Sequence, residues 1–193
     1  DVLIGTQIVT KGYHFPNLTL VGVVDADLGL SGGDLRAAER SMQLLAQVSG
    51  RAGRAERPGK VMLQTYMSNH PVIQALSKGD RDGFLGAELA ARDASKMPPF
   101  VRLAAIIISS PNEAAARDIA ADIARVGPSG SAIEVFGPAP APIYQQRGRF
   151  RYRLLIKAPR PEPIQDIIQN WLATVSWPGY VTVRVDIDPY SFM

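Results

Sequence analysis

The stretch Gln47–Arg54, QVSGRAGR, holds the residues best suited to chemistry. Gln47, Gly50, Arg51 and Arg54 recur at helical spacing, which places all four on one face of a helix. Each guanidinium is a planar fork of donors that matches phosphate oxygens. Two glycines in a helical run cost about 1 kcal/mol each relative to alanine, which close approach of another group at Gly50 and Gly53 would justify. The ordinary alternative is a solvated helix end, with Arg51 and Arg54 favoured by the C-terminal dipole.

A second constellation is Gly5–Leu18, GTQIVTKGYHFPNL. Thr6 and Gln7 follow an apolar run, at the strand end where open α/β sheets place ligands. Thr6 offers a hydroxyl to a phosphate, Lys11 a mobile charge, and Gly12 a point of close backbone approach. An ordinary crossover loop would carry the same residues.

A third is Arg147, Arg149, Arg151 and Arg153. Their period of two lines one face of a strand, with Phe150, Tyr152, Leu154 and Ile156 on the other. Between Gln145 and Arg160 stand six basic residues and no acidic one. With the apolar face buried, the arginines would lie open as a phosphate-tracking stripe. A charged edge strand that resists aggregation is the alternative.

Other chemistries are poorly supported. The nearest string to a phosphate loop, Gly53 to Val61, has the wrong glycine spacing and Val61 where a magnesium-binding hydroxyl is needed. No cysteine is present, and His14 and His70 lie far apart, so a zinc site in this chain is not expected. Asp25 and Asp27 end an apolar run, where carboxylates cap the following loop more often than they bind metal.

The elements that must position these groups follow from pattern. Val2–Gly5, Leu18–Asp25 and Lys60–Thr65 read as strands. A helix runs from Leu35 past Val48 with Asp34 as N-cap, and further helices cover Pro71–Ser77 and Phe84–Lys96. The alternation indicates an α/β layer. Met97-Pro98-Pro99 marks a boundary. Beyond it come strand Arg102–Ser109, helix Glu113–Val126, strand Ile133–Phe136, an extended turn through Pro142, strand Phe150–Lys157, helix Ile164–Val175 and strand Tyr180–Asp186. That order is β-α-β-β-α-β, the ferredoxin-like arrangement.

Composition agrees with a folded domain pair: 193 residues, 46% hydrophobic, 20% charged, net charge +3. The excess of basic over acidic side chains falls in the second half. No apolar run is long enough for a membrane span. The opening Asp1-Val2-Leu3-Ile4-Gly5 is neither a basic leader nor a start methionine. It reads as a strand entered in mid-domain, so a fragment of a longer cytoplasmic protein is expected.

The first two stretches, in this order, resemble motifs V and VI of superfamily 2 helicases. GTQIVTKGYHFPNLTLVGVVDAD, DLRAAER, QVSGRAGR, FGPAPAPIYQQRGRFRYRLLIKAP and the terminal DIDP together are similar to the PriA family of replication-restart helicases. The resemblance spans nearly the whole chain, and the segment from GPAPAPI to RGRFRYRLLIK is its most specific part. His14 departs from the family pattern, which carries Asp or Asn there.

The resemblance implies that residues 1–96 are the latter part of a RecA-like second helicase lobe and residues 97–193 a C-terminal ferredoxin-like domain. Gln47, Arg51 and Arg54 would face ATP across the lobe cleft, with Gly12 and Gly50 near it. Thr6 and Lys11 would contact DNA. ATP and magnesium would be held largely by a first lobe, and zinc by a cysteine-rich module, both outside this chain. Branched or single-stranded DNA, single-stranded-DNA-binding protein and primosome proteins are the implied partners. Arg160 and Gln165 mark the region implied for an acidic partner tail. The rival reading is a stand-alone nucleic-acid-binding or adaptor module. Against an RNA-recognition motif stand Arg149 and Arg151, where that motif carries aromatics.

Overall fold

The computed structural model describes residues 2–5, 18–30, 34–50, 52, 59–128, 130 and 133–190. The chain divides into two compact units, Asp1–Ala87 and Glu88–Met193.

In the first unit, strands β1 (Leu20–Val23) and β2 (Lys60–Leu63) pair in parallel, with Leu20 opposite Lys60 and Val23 opposite Leu63. Helix α1 (Ala37–Ser49) and helix α2 (Pro71–Lys78) pack their apolar sides together. The resulting core holds Ala26, Met42, Leu45, Val72, Ile73, Ala75 and Phe84. The ends of α2 follow from local chemistry. His70 accepts the Val72 N–H through Nδ1 at 3.2 Å, Pro71 needs no donor in the first turn, and Gly79 closes the helix at φ 69°. Helix α3 (Arg81–Ala94) follows and crosses the division between the units.

Asp27 ties the strand ends together. Its carboxylate accepts from the Thr65 hydroxyl and, at 2.7 Å, from the Tyr66 N–H. Asp25, at φ 61°, accepts the Asp27 N–H at 3.2 Å. These carboxylates cap loops, and no cluster of three or more metal-ligating side chains occurs among the described residues.

The second unit is a four-stranded antiparallel sheet with two helices. Its elements are β3 (Val101–Ser110), α4 (Glu113–Arg125), β4 (Glu134–Gln146), β5 (Arg149–Pro159), α5 (Ile164–Leu172) and β6 (Thr182–Ile187). Spatially the strands run β4-β5-β3-β6. Ala104, Ile106 and Ile108 of β3 share one face with Tyr152, Leu154 and Ile156 of β5, as the register requires. Against them pack Ala116, Ala120 and Ile123 of α4 and Ile164, Ile168 and Trp171 of α5. The Trp171 indole N–H donates to the Ile123 carbonyl at 2.9 Å and joins the two helices.

Three expectations from sequence need correction. Val2–Gly5 forms no strand. The first helix ends at Ser49 with Gly50 as its C-cap, and the expected continuation through Arg51 and Arg54 lies outside the described residues. It also begins at Ala37, although the Asp34 carboxylate still accepts the Arg36 N–H at 3.0 Å. Finally, the proline segment is not a turn but the middle of β4, with register breaks between Phe136 and Ala139 and between Pro140 and Gln145. Proline is tolerated because β4 is an edge strand, with no second neighbour for its missing N–H groups to serve.

Candidate nucleic-acid interface

Since α4 and α5 share one face of the sheet, the opposite face turns away from both. Strand register assigns its residues row by row. Glu134, Lys157 and Leu103 lie across from one another, then Phe136, Leu155, Ala105 and Asp186. Next come Ala139, Arg153, Ile107 and Arg184, and finally Arg151, Ser109 and Thr182. Leu103 and Ala105 are buried, so the face is not uniformly open. Arg151, Arg153 and Lys157 are half-buried, and Arg184 is exposed.

The arginines do different work. Arg149 turns inward to the neighbouring strands. Its Nη2 donates to the Ser109 carbonyl at 2.7 Å, the Tyr180 carbonyl at 2.8 Å and the Thr182 hydroxyl at 3.1 Å. It stitches β5 to β3 and to the start of β6, so the expectation of four open arginines is corrected at this position. Arg151 donates to the Ile143 carbonyl at 3.3 Å. Burial pushes the Arg153 guanidinium below the ordinary arginine value. Arg147 is exposed in the two-residue turn between β4 and β5. Both turn residues have positive φ, 51° at Arg147 and 73° at Gly148, as tight hairpins matched to strand twist require.

Two residues on this face were missed. Arg184 sits across Ile107 from Arg153, a placement that the alternation of Thr182, Arg184 and Asp186 could have revealed. Phe136 is 47% exposed, beside Leu155, with the Lys157 Nζ 5.6 Å from its ring centroid. Lys157 also pairs with Glu134 at 2.7 Å.

The hairpin is braced from the helix side too. The Tyr144 hydroxyl donates to Glu113 at the start of α4, which holds that phenol well above its ordinary value. The Tyr144 ring meets Phe150 and Tyr152 edge-on.

The remaining sequence-derived site residues are scattered. Gln47 and Gly50 are exposed at the end of α1. Thr6, Lys11, Gly12, Arg51 and Arg54 lie outside the described residues. Gln165 accepts from Arg102 Nη1 at 3.0 Å, and Arg102 is paired with Asp188 at 2.8 Å. Arg160 donates to the Pro99 carbonyl at 3.3 Å. Both residues expected at a partner site are thus engaged with the chain around the start of β3.

Residues 93–190 match the family described as primosomal protein N C-terminal domain, which covers the whole four-stranded sheet and both its helices. The chain belongs to the PriA family. Three relatives, each named replication restart protein PriA, are similar along the full chain. That of Rickettsia conorii is 46% identical, that of Treponema pallidum 40% and that of Bacillus subtilis 37%. The chain spans 30% of the length of the first two and 25% of the third.

Proposed function

We propose that this chain is part of an ATP-dependent helicase that restarts replication at branched forks, and that its antiparallel sheet holds the DNA backbone. The observation that carries the reading is the cationic row on the face away from the helices, Arg153 and Arg184 flanking Ile107 with Arg151 one row on. Phosphates are met by such guanidiniums without regard to sequence.

The second unit's β-α-β-β-α-β order supports a ferredoxin-like C-terminal domain, assigned to 97–193. The parallel pair with α1 supports assigning 1–96 to the latter part of a RecA-like lobe. In that lobe Gln47, Gly50, Arg51 and Arg54 would meet the phosphates of ATP, with Gly12 near the same cleft. The end of α1 presents carbonyls and not N–H groups, so a phosphate there would depend on the two arginines. Among the described residues no group of three or more His, Cys, Asp or Glu could hold a metal ion. Thr6 and Lys11 would add backbone contacts. Primosome proteins and single-stranded-DNA-binding protein are the proposed partners, the latter at Arg160 and Gln165.

The test is a salt series with the 193-residue chain and single-stranded DNA. Four contacts, from Arg147, Arg151, Arg153 and Arg184, give a log–log slope of about −3. Replacing Arg151, Arg153 and Arg184 by alanine should reduce it to about −1. An unchanged slope and affinity would remove the sheet face from DNA binding.

A further inference from the structure

We infer that Phe136 is a stacking platform for one unpaired base of single-stranded DNA whose phosphates run along the arginine row. The inference rests on the backbone-binding reading above and adds a substrate class to it.

The physical grounds lie in the row order. Phe136 is on the face away from the helices, because its partner Leu155 has the same parity as Arg153 and Arg151. A large aromatic left 47% exposed in a sheet face whose neighbours Leu103 and Ala105 are buried is a conspicuous apolar surface. It is bordered by cations: Lys157 is placed against the ring, and Arg153 is one row away on the adjacent strand. That combination, a half-exposed ring among an ammonium and guanidiniums, is how sequence-tolerant single-strand sites are built. Duplex DNA does not satisfy it, since paired bases already stack on one another and present only edges and phosphates. Charge fixes the direction of the strand's path. Asp186 closes the Phe136 row on β6 and repels phosphate, whereas Glu134 in the Lys157 row is neutralised by its ion pair with Lys157. The Arg153–Arg184 row and Arg151 supply the cations of this face that phosphate would meet. A base over Phe136 with its following phosphates over Arg153 and Arg151 meets all these constraints.

The experiment compares a fluorescent thymidine oligonucleotide with an abasic oligonucleotide of equal length, which keeps phosphates and lacks bases. Phe136→Ala should weaken thymidine binding by about 5-fold to 150-fold, the range for one stacked base. It should leave abasic binding and the salt slope unchanged. Phe136→Trp should retain thymidine affinity, with the new indole quenched on binding relative to the wild-type background. Unchanged thymidine affinity in Phe136→Ala would overturn the inference. So would an equal loss for both oligonucleotides, which would mark a structural effect. The backbone reading fails separately, if Arg151, Arg153 and Arg184 can all be replaced without loss for the abasic strand.

Discussion

Gly137 stands at the first register break of β4, with φ at 100°. A Cβ there would lie 2.8 Å from the Arg153 carbonyl oxygen, a backbone atom that cannot swing aside. Both the conformation and the space require glycine. Gly137→Ala should therefore cost about 1–3 kcal/mol, read as a lower urea midpoint. Gly148, also at positive φ, has nothing within 4 Å of a built Cβ, so only its conformation is at stake. Asp27 gives a pH-dependent counterpart in the first unit. The Thr65 hydroxyl, then the Tyr66 and Met67 amides, hold its carboxyl below the ordinary value against the opposing effect of burial, and His70 adds a smaller pull. A carboxyl depressed in the folded state contributes stability above its unfolded value of about 3.9. That contribution disappears as pH falls through the folded value. Between about pH 6 and about pH 3, Asp27→Asn should be less stable at the upper end and show a shallower acid decline than wild type. Parallel curves for the two proteins would place the acid sensitivity elsewhere.

At the scale of elements, β5 assigns neighbouring arginines to different work, and a pair of substitutions separates the roles. Arg149→Ala removes charge-assisted bonds to β3, Tyr180 and Thr182. It should lower stability by about 1–2 kcal/mol, with a smaller effect on the salt dependence of DNA binding. Arg184→Ala removes an exposed side chain and should do the reverse. Thermal unfolding and the salt series on both variants check this directly. The sequence made β3 and β5 legible because alternation shows in Arg151–Tyr152–Arg153–Leu154 and in the β-branched run of β3. Helices α2 and α4 were legible as the spans Pro71–Ser77 and Glu113–Val126, and the structure adds Asn112 as the N-cap of α4, accepting the Ala115 N–H at 3.1 Å. Three things were not legible. Prolines 138, 140 and 142 read as a turn because strand position, edge or centre, is a tertiary property. The inward engagement of Arg149 depends on Ser109 and Thr182, far away in the chain. The placement of Phe136 on the arginine face depends on a register that bulges interrupt, so parity counted along β4 alone does not reveal it.

At the scale of the whole molecule, the proposed DNA-binding sheet and the proposed phosphate-facing residues after α1 belong to different units. The chain has no G-x-x-x-x-G-K-[ST] loop, so by itself it should show no ATP turnover. In a PriA protein that joins this chain to such a loop, the two sites should separate kinetically. Arg51→Ala or Arg54→Ala should lower ATP hydrolysis by about 10³-fold or more, the usual worth of an arginine acting on a transferred phosphoryl group. Single-stranded DNA binding by the sheet should persist in those variants, since Arg151, Arg153 and Arg184 are untouched. The triple arginine-to-alanine variant of the sheet should give the opposite result: ATP turnover in the absence of DNA unchanged, and DNA affinity with its salt dependence reduced. The sheet variant should keep its fold, because Arg151, Arg153 and Arg184 do not belong to the Ala104–Ile106–Leu154–Ile156 core. Normal turnover in both Arg51→Ala and Arg54→Ala would return these residues to the solvated end of a helix. Loss of turnover in the sheet variant without DNA would mean that the sheet face supports the motor directly and is more than a DNA surface.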